Sequence, residues 1–498
     1  MITTVDVLDE PLLEFRYGQS MVEPHDGLAA FGPYDADLGS HPDNVSVAVA
    51  GTPAGIEAYR IFSGLLAGPI LGDEAHPNLW PTYPGFEAVF DCRWPKKPSW
   101  ETPIDSSKLS DAVSQADASK RVYDVVDLYL SAIDPIKKKD EAFDLIVCVV
   151  PDVVFKNCRV KSFIKRPTGD LVTPQESARR RSGQLDLFTR WPDDMYDFSL
   201  DFRNQLKARA MSLGIPIQII KESTLVPGPA PFPIRKTPLS DRAWNIAVTA
   251  YYKAGGKPWR LMGARDGVCY VGLAYRKKDP SPESQSACCA AQMFLNDGDG
   301  VVFVGDVGAW YSPERRQCHL DPAAARRLLE GVLETYQQQG GKDLKEVFLH
   351  ANSQIDREEF QGFQAACPPG VKLVGVRVRS EHGTPLKMYR EGTRPVLRGT
   401  MWPVTDRRAF LWGSGFKLRL GTYDGKETPV PLRIEVQHGD ADIRQVASDI
   451  LALTKLNYNA CRLGDARPVT VGYSMQVGEI LVSNPTITER RSQFKFYI

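Results

Sequence analysis

The sequence predicts a protein of the α/β class that is built from two units. The chain has 498 residues, of which 43% are hydrophobic and 24% are charged, so it is too long for one ordinary core and too apolar to be disordered. Short apolar runs alternate with segments of helical periodicity on both sides of a proline-rich segment at 225–238, which cannot form a regular element. We therefore predict a lead-in segment at 1–120, a first domain at 121–235 and a second domain at 236–498.

The lead-in is rich in proline and glycine, and we expect it to pack, with some strands, on the two domains that follow. The first domain begins with the apolar run FDLIVCVVPD, which ends at Pro151 and is typical of a buried parallel strand. Residues 197–213 carry apolar side chains at helical spacing, and IPIQII at 215–220 has the composition of a second strand. Strand, helix and strand in this order indicate a small α/β unit.

The second domain again mixes helices and strands. Asp321 and Pro322 have the residue types of an N-cap and a first helical residue, which predicts a helix that starts there. The other elements follow from apolar runs and from helical spacing. They are helices at 242–254 and about 440–455, and strands at 268–275, 300–305, 345–350 and 371–378.

Composition argues against several classes of protein. No run reaches the roughly 18 to 20 apolar residues of a membrane span, and the start carries acidic residues where a signal peptide has basic ones, so we expect a cytoplasmic protein with no membrane partner. The nine cysteines include no CxxC pair, which argues against a structural zinc site. Lysine plus arginine equals aspartate plus glutamate at 61 each, so nucleic-acid binding would depend on local basic clusters, which occur at 137–139, 179–181 and 276–278.

Two segments carry basic and amide side chains in a pattern suited to a phosphate. In the helix FRNQLKARAMSLG and the following run GIPIQII, Lys207 supplies a point cation and Gln218 supplies a neutral donor. In AVTAYYKAGGKPWRL, Lys253 lies in the last turn of a helix before a double glycine. The simpler explanations are an exposed i, i+4 pair of Arg203 and Lys207, and a lysine that favours a helix C-terminus. These do not explain the order KAGGKPW.

Together, these segments resemble the MID and PIWI domains of the Argonaute family, and the resemblance extends over about 100–498. It implies a Rossmann-like MID domain followed by an RNase H-like PIWI domain. It also implies that Lys207, Gln218 and Lys253 bind the 5′ phosphate of a guide, with Arg203 at the place where the family has a stacking aromatic residue. The carboxylate of Ile498, with Gln218, would hold a structural Mg²⁺ against the guide phosphates.

The same resemblance indicates the positions at which catalytic relatives hold two divalent ions for cutting. These positions fall at Ala274 in VCYVGLAY, at Asn352 in VFLHANSQ and at Met475 in VTVGYSMQVGEIL. Alkyl and thioether groups cannot replace carboxylates as ligands of such hard cations, and an amide lacks the charge. We therefore expect no catalytic residue and no cutting, and we interpret the nearby His350 as a hydrogen-bonded structural residue.

The function that the resemblance implies is guide-dependent recognition of nucleic acid in prokaryotic antiviral defence. A short prokaryotic Argonaute of this kind would bind an RNA guide and a complementary single-stranded DNA target. It would activate a partner that carries an APAZ domain and a TIR, sirtuin-like or nuclease effector. Two alternatives stay open, namely an active guide-directed endonuclease with unusual metal ligands and a nucleotide-binding α/β enzyme. Against the second, no glycine-rich phosphate loop follows VCVVPD.

Overall fold

The structure is a computed structural model. It describes residues 4–139, 142–160, 162, 198–228, 237–263, 265–277, 286–294, 300–309, 311–312, 317–338, 343–380, 386–425, 427–484 and 491–498. The strands, in chain order, are β1 (Asp6–Val7), β2 (Leu13–Glu14), β3 (Ser20–Met21), β4 (Val47–Gly51), β5 (Trp100–Pro103), β6 (Leu145–Val150), β7 (Ile217–Lys221), β8 (Arg260–Leu261), β9 (Val268–Lys277), β10 (Ser286–Phe294), β11 (Gly300–Ala309), β12 (Tyr311–Ser312), β13 (Gln317–Cys318), β14 (Glu346–Ala351), β15 (Lys372–Ser380), β16 (Thr400–Thr405), β17 (Arg408–Leu411) and β18 (Leu432–His438).

The α-helices, in the same order, are α1 (Pro24–Phe31), α2 (Pro53–Leu66), α3 (Phe86–Phe90), α4 (Ser106–Ser114), α5 (Ala118–Ile133), α6 (Asp152–Asn157), α7 (Phe202–Ala210), α8 (Glu222–Leu225), α9 (Leu239–Lys253), α10 (Pro322–Gln338), α11 (Arg357–Ala366), α12 (Ile443–Leu453) and α13 (Val469–Leu481). Over the described ranges, none of them combines the length and the apolar character that crossing a membrane requires.

A four-stranded parallel sheet with the order β5-β4-β6-β7 forms the centre of the first unit. Strand β6 is buried along its whole length, and its alternate residues belong to two different apolar clusters, Val147 to one and Ile146 to the other. A parallel strand with both faces covered has this pattern, so the strand predicted from FDLIVCVVPD is confirmed. The run IPIQII provides β7, and the helix predicted within 197–213 contains α7, at whose start Asp201 accepts a hydrogen bond from the amide of Asn204.

The boundary predicted at residue 120 divides this sheet, because β4 and β5 come from the first 120 residues. Strand β4 pairs with β5 on one side and with β6 on the other, so it is a central strand and not part of a lead-in. The sequence VAVAG is short and lies among proline and glycine residues, which hid this strand from the periodicity. Among the described strands of this segment, β1 and β2 pair with strands of the second unit, β16 and β8 respectively.

The second unit is built on a nine-stranded sheet with the order β1-β16-β17-β18-β15-β14-β9-β10-β11. Strand β14 is parallel to β9 and β15, and the other neighbouring pairs are antiparallel. The four predicted strands are confirmed as β9, β11, β14 and β15, and the predicted helices as α9, α10 and α12. Asp321 accepts a hydrogen bond from the amide of Ala324 at 2.8 Å, as an N-cap does.

One apolar core joins the two sheets. Val49 of the parallel sheet and Val374 of the nine-stranded sheet belong to the same cluster of buried residues. Trp244 of α9 and Trp259 after it are both fully buried in this cluster. The end of the chain, including Ile498, is buried there as well, so the final residues are held against the rest of the protein.

Candidate nucleic-acid interface

Two helices and the end of the chain meet beside β7. Helix α7 contributes Lys207, which is 3% exposed, and α9 ends at Lys253, which is fully buried. Strand β7 contributes Ile217 and Gln218. Ile498 follows a short helical turn and is 2% exposed. The structure therefore brings together four of the predicted pocket residues, two of which, Lys207 and Ile498, lie 291 positions apart in the sequence.

The two lysine ammonium groups share oxygen acceptors. The Nζ of Lys253 donates to the main-chain oxygens of Ile217 and Ile498, each at 2.8 Å. It also donates to the Oε1 of Gln218 at 2.5 Å. The Nζ of Lys207 donates to the main-chain oxygen of Ile498 at 2.5 Å and to that of Ile217 at 3.4 Å. Two cations thus converge on a small set of oxygens, a geometry that oxygens of an anionic ligand also satisfy.

Burial makes these positive charges unfavourable without an anionic partner. It lowers the pKa of Lys207 well below the ordinary value, and the nearby charges of Lys253 and Arg203 lower it further. Burial and the charge of Arg203 also lower the pKa of Lys253. The pKa of Arg203 is itself lowered by burial, against the opposing charges of Asp201 and Glu479. Three cationic groups in one enclosed place favour a ligand with more than one negative charge.

Arg203 lies on α7, one turn before Lys207, and it is half-buried. Its Nη1 is 3.5 Å from the Oδ1 of Asn204, which is a weak contact. A guanidinium plane in this place can bind a phosphate or stack on a base. The structure therefore puts Arg203 in electrostatic range of both lysines and leaves its planar group near the pocket.

The predicted cutting positions also converge, on the nine-stranded sheet. Strands β9 and β14 are parallel with Leu273 opposite Ala351, so Ala274 and Asn352 are level one residue further along. Ala274 is buried, and Asn352 is exposed at the end of β14. Met475 of α13 is half-buried and lines, together with Asn352, a cavity of about 260 Å³.

This cavity has basic, neutral polar and apolar walls. Among the residues that the structure describes, no acidic side chain lines it, and no group of three His, Cys, Asp or Glu residues suited to a metal ion is found. A two-metal cutting site needs such ligands, so the described part of the cavity does not supply them. The lining residues are Asn352, Val378, Arg379, Ser380, Leu432, Arg467, Pro468, Val471 and Met475.

His350 lies two residues before Asn352 and is 1% exposed. Its Nδ1 is 2.9 Å from the Oγ1 of Thr470. Burial lowers the pKa of His350 to about 3, so its imidazole is neutral at physiological pH. A buried neutral ring with a hydroxyl partner agrees with a structural residue and not with an acid or base that exchanges protons with solvent.

Sequence reasoning missed two arginines of the cavity, Arg379 and Arg467, although arginine alternates with valine in VRVRS on β15. Of the basic clusters in the sequence, the one at 137–139 has two lysines with partners elsewhere. In the cluster at 137–139, Lys137 donates to the main-chain oxygen of Ser212 at 2.9 Å, and Lys139 lies 3.6 Å above the ring of Trp100. Residues 179–181 and 278 lie outside the described residues.

Solved structures of Argonaute proteins have the fold of this chain. Clostridium butyricum Argonaute, bound to a guide DNA with a 5′ deoxycytidine and to a 19-mer target DNA, matches with a TM-score of 0.64 and 15% identity, over 100% of this chain and 55% of that chain. Aquifex aeolicus Argonaute matches with a TM-score of 0.58 and 13% identity, over 100% and 57%. Aa-Ago with externally bound siRNA matches with a TM-score of 0.58 and 13% identity, over 100% and 56%.

The chain thus spans about half the length of these structures. No protein-family model and no curated protein matches its sequence. The expected fold class, a Rossmann-like MID unit followed by an RNase H-like PIWI unit, is confirmed by the two sheets and by these likenesses.

Proposed function

With the MID and PIWI fold of the Argonaute structures as the premise, we propose that this protein binds a short guide strand by its 5′ phosphate and uses it to recognise a complementary strand without cutting it. The observation that carries the proposal is the buried meeting point of Lys207, Lys253, Gln218 and Ile498. Two ammonium groups and an amide match the oxygens of a terminal phosphate, and Arg203 adds a third positive charge. The Clostridium butyricum protein is solved with guide and target DNA, which supports guide-directed recognition as a use of this fold.

Guides that differ only at the 5′ end test this proposal. A phosphorylated guide should bind at least about tenfold more tightly than the same guide with a 5′ hydroxyl, because a hydrogen bond to a charged group contributes about 1.5–3 kcal/mol. Anisotropy measurements with labelled RNA and DNA guides give this ratio and identify the guide that binds more tightly. We propose that the guide is RNA and that the target is single-stranded DNA. Equal affinities for both 5′ ends would contradict the pocket.

The oxygen atoms of this pocket support the proposal of a structural Mg²⁺. The oxygens of Ile498 and Gln218 lie 2.8 Å and 2.5 Å from the same nitrogen of Lys253, so they are close together, and oxygen ligands are those that Mg²⁺ prefers. We propose that these two residues hold the ion and that guide phosphates complete its ligands. When bound, the ion would neutralise phosphate charge.

Residues added after Ile498 should weaken loading of a phosphorylated guide, because Ile498 is only 2% exposed and an extension would displace it from the lysines. The extended protein should also lose any sensitivity of loading to chelators. A tag of the same composition at the other end of the chain is the control. Unchanged affinity in the C-terminally extended protein would remove Ile498 from the binding site.

Loading should also depend on pH. In the free pocket, the lowered pKa values of Lys207 and Lys253 favour loss of a proton at a lower pH than for ordinary lysines. A bound phosphate stabilises the charged lysines and raises these pKa values, so binding takes up protons and the affinity falls as the pH rises. Calorimetry in buffers of different ionisation enthalpy, between neutral pH and the ordinary lysine pKa, measures this uptake. A 5′-hydroxyl guide should show none, and equal uptake for both guides would contradict the linkage.

We propose that the protein itself is not an enzyme and that its output comes from an associated protein. Ala274, Asn352 and Met475 support this proposal, since none is an acidic metal ligand. A protein that retains a target without changing it needs a partner that responds, and we propose an APAZ-containing effector of TIR, sirtuin-like or nuclease type. Prokaryotic antiviral defence is the role in which such a pair would act.

A further inference from the structure

Two neighbouring loops of the second unit carry exposed apolar side chains. Residues 386–399 precede β16 and residues 412–425 follow β17. Tyr389 in the first loop and Leu418 in the second are each 74% exposed. The amide of Phe416 donates to the main-chain oxygen of Val396 at 2.8 Å, which joins the two loops. Apolar side chains of this size gain free energy when a partner removes them from water.

Two arginines of the first loop lie against the buried ring of Phe416. The guanidinium carbon of Arg394 is 4.7 Å from the ring centroid, and that of Arg390 is 5.5 Å from it. Gly392, with a φ of 98°, turns the chain between them. The Nε of Arg390 donates to the main-chain oxygen of Arg394 at 3.3 Å across this turn. The fold therefore holds two guanidinium groups side by side, although both residues are exposed.

The charge of the first loop is not neutralised within the protein. Lys387, Arg390 and Arg394 are all exposed, and none of them forms an ion pair in the part of the chain that the structure describes. Glu391, in the same turn, supplies one opposing charge. Three cations and one carboxylate leave an excess of positive charge, and the two like charges over one ring repel each other. An anionic partner relieves this repulsion.

From these observations, we propose that this surface docks a segment of a partner protein that carries both carboxylate and apolar side chains. We call it the Phe416 patch, and its residues are Lys387, Tyr389, Arg390, Arg394, Phe416 and Leu418. Carboxylates pair with the guanidinium groups, and apolar side chains cover the exposed tyrosine and leucine. Tyrosine and arginine are residue types that often dominate the energy of protein interfaces. The inference goes beyond the proposed function, because it depends on neither the guide nor the lysine pocket.

Three features favour a protein segment over a nucleic-acid strand. Glu391 repels a backbone that carries a charge at every nucleotide, whereas carboxylates spaced along a peptide avoid it. Leu418 is aliphatic, so it packs on apolar side chains and offers no flat ring on which a base stacks. Arg419 is already paired with Asp26 through two hydrogen bonds of 2.7 and 2.9 Å. The unpaired positive charge is therefore confined to the first loop and does not extend through the second as a track for a backbone.

Selection from a library of random peptides tests the proposal. The library is panned on the purified wild type and, in parallel, on Arg390→Gln/Arg394→Gln. Peptides recovered on the wild type alone should combine aspartate or glutamate with leucine, phenylalanine or tryptophan. A synthetic copy of the most enriched peptide should bind the double variant and Tyr389→Ala about tenfold more weakly than the wild type. Its affinity for the wild type should fall with added salt, because the cations are exposed.

The matched control is Arg60→Gln/Arg326→Gln, which removes two exposed arginines that each pair with a glutamate. It should bind the selected peptide as the wild type does. If the double variant of the patch has a lowered Tm, Leu418→Ser repeats the test and should also weaken binding. Recovery of no peptide that combines the two kinds of side chain would overturn the proposal. Selection for negative charge alone would overturn it as well, because a single-stranded oligonucleotide would then suit the patch equally.

Guide loading separates this proposal from the proposed function. Variants of the Phe416 patch should bind a 5′-phosphorylated guide as the wild type does, because the patch and the lysine pocket share no residue. Weakened loading in these variants would place the patch on the guide and contradict its role in docking a protein. A wild type that binds phosphorylated and unphosphorylated guides equally would remove the proposed function and leave the peptide selection unchanged.

Discussion

Replacing Lys253 with methionine is expected to weaken binding of a 5′-phosphorylated guide by about tenfold or more and to change the affinity for a 5′-hydroxyl guide little. The Nζ of Lys253 is the donor that reaches Ile217, Gln218 and Ile498, so it lies at the centre of the pocket. Methionine fills a similar volume without a charge. The measured quantity is the ratio of the two dissociation constants, which should fall towards one.

The methionine variant should fold, because it keeps a similar side-chain volume and leaves Lys207 to donate to the main-chain oxygens of Ile217 and Ile498. Lys417→Met is the matched control. Lys417 is also buried, at 5% exposed, and its Nζ pairs with the carboxylate of Asp424 at 3.0 Å, away from β7. The control should keep the wild-type ratio even if its Tm falls. A full preference for phosphorylated guide in Lys253→Met would contradict the assignment of the pocket.

Guide, matched target and Mg²⁺ or Mn²⁺ together should leave the target intact. Cutting requires divalent ions held by acidic ligands, and Ala274, Asn352 and Met475 offer a methyl group, an amide and a thioether. A gel of end-labelled target should show no shortened product. The same sample should retain the target on a filter, which shows that the target is bound. Product of one fixed length from this chain alone would refute the proposal and favour an active endonuclease.

Replacing acidic ligands by neutral residues also removes negative charge near the bound phosphates, so target affinity need not fall. An APAZ-containing partner should therefore gain activity only when guide and matched target are both present. Reactions that omit the guide, that omit the target or that contain a mismatched target are the controls. A partner that is equally active without target would remove the sensor role and leave guide binding intact.

Local patterns in the sequence determined much of this protein. The apolar run before Pro151 predicted β6, and Asp321 with Pro322 predicted the start of α10, because strand burial and helix capping depend on neighbouring residues. Lys253 was singled out by the resemblance of KAGGKPW to a segment of the Argonaute family, which helix capping alone does not explain. Length and the proline-rich segment predicted two α/β units, and two main sheets are present.

The tertiary structure decided what depends on residues far apart in the chain. The pairing of β4 with β5 and β6 placed two strands of the first 120 residues in the parallel sheet, which a five-residue strand could not reveal alone. The convergence of Lys207 and Lys253 on Ile498 joins positions 291 and 245 residues apart. The register of four strands places Arg379 opposite Arg433, Arg433 opposite Phe410 and Phe410 opposite Trp402. Burial and cross-strand register depend on which distant segments of the chain pack together. Local periodicity carries no information about that choice.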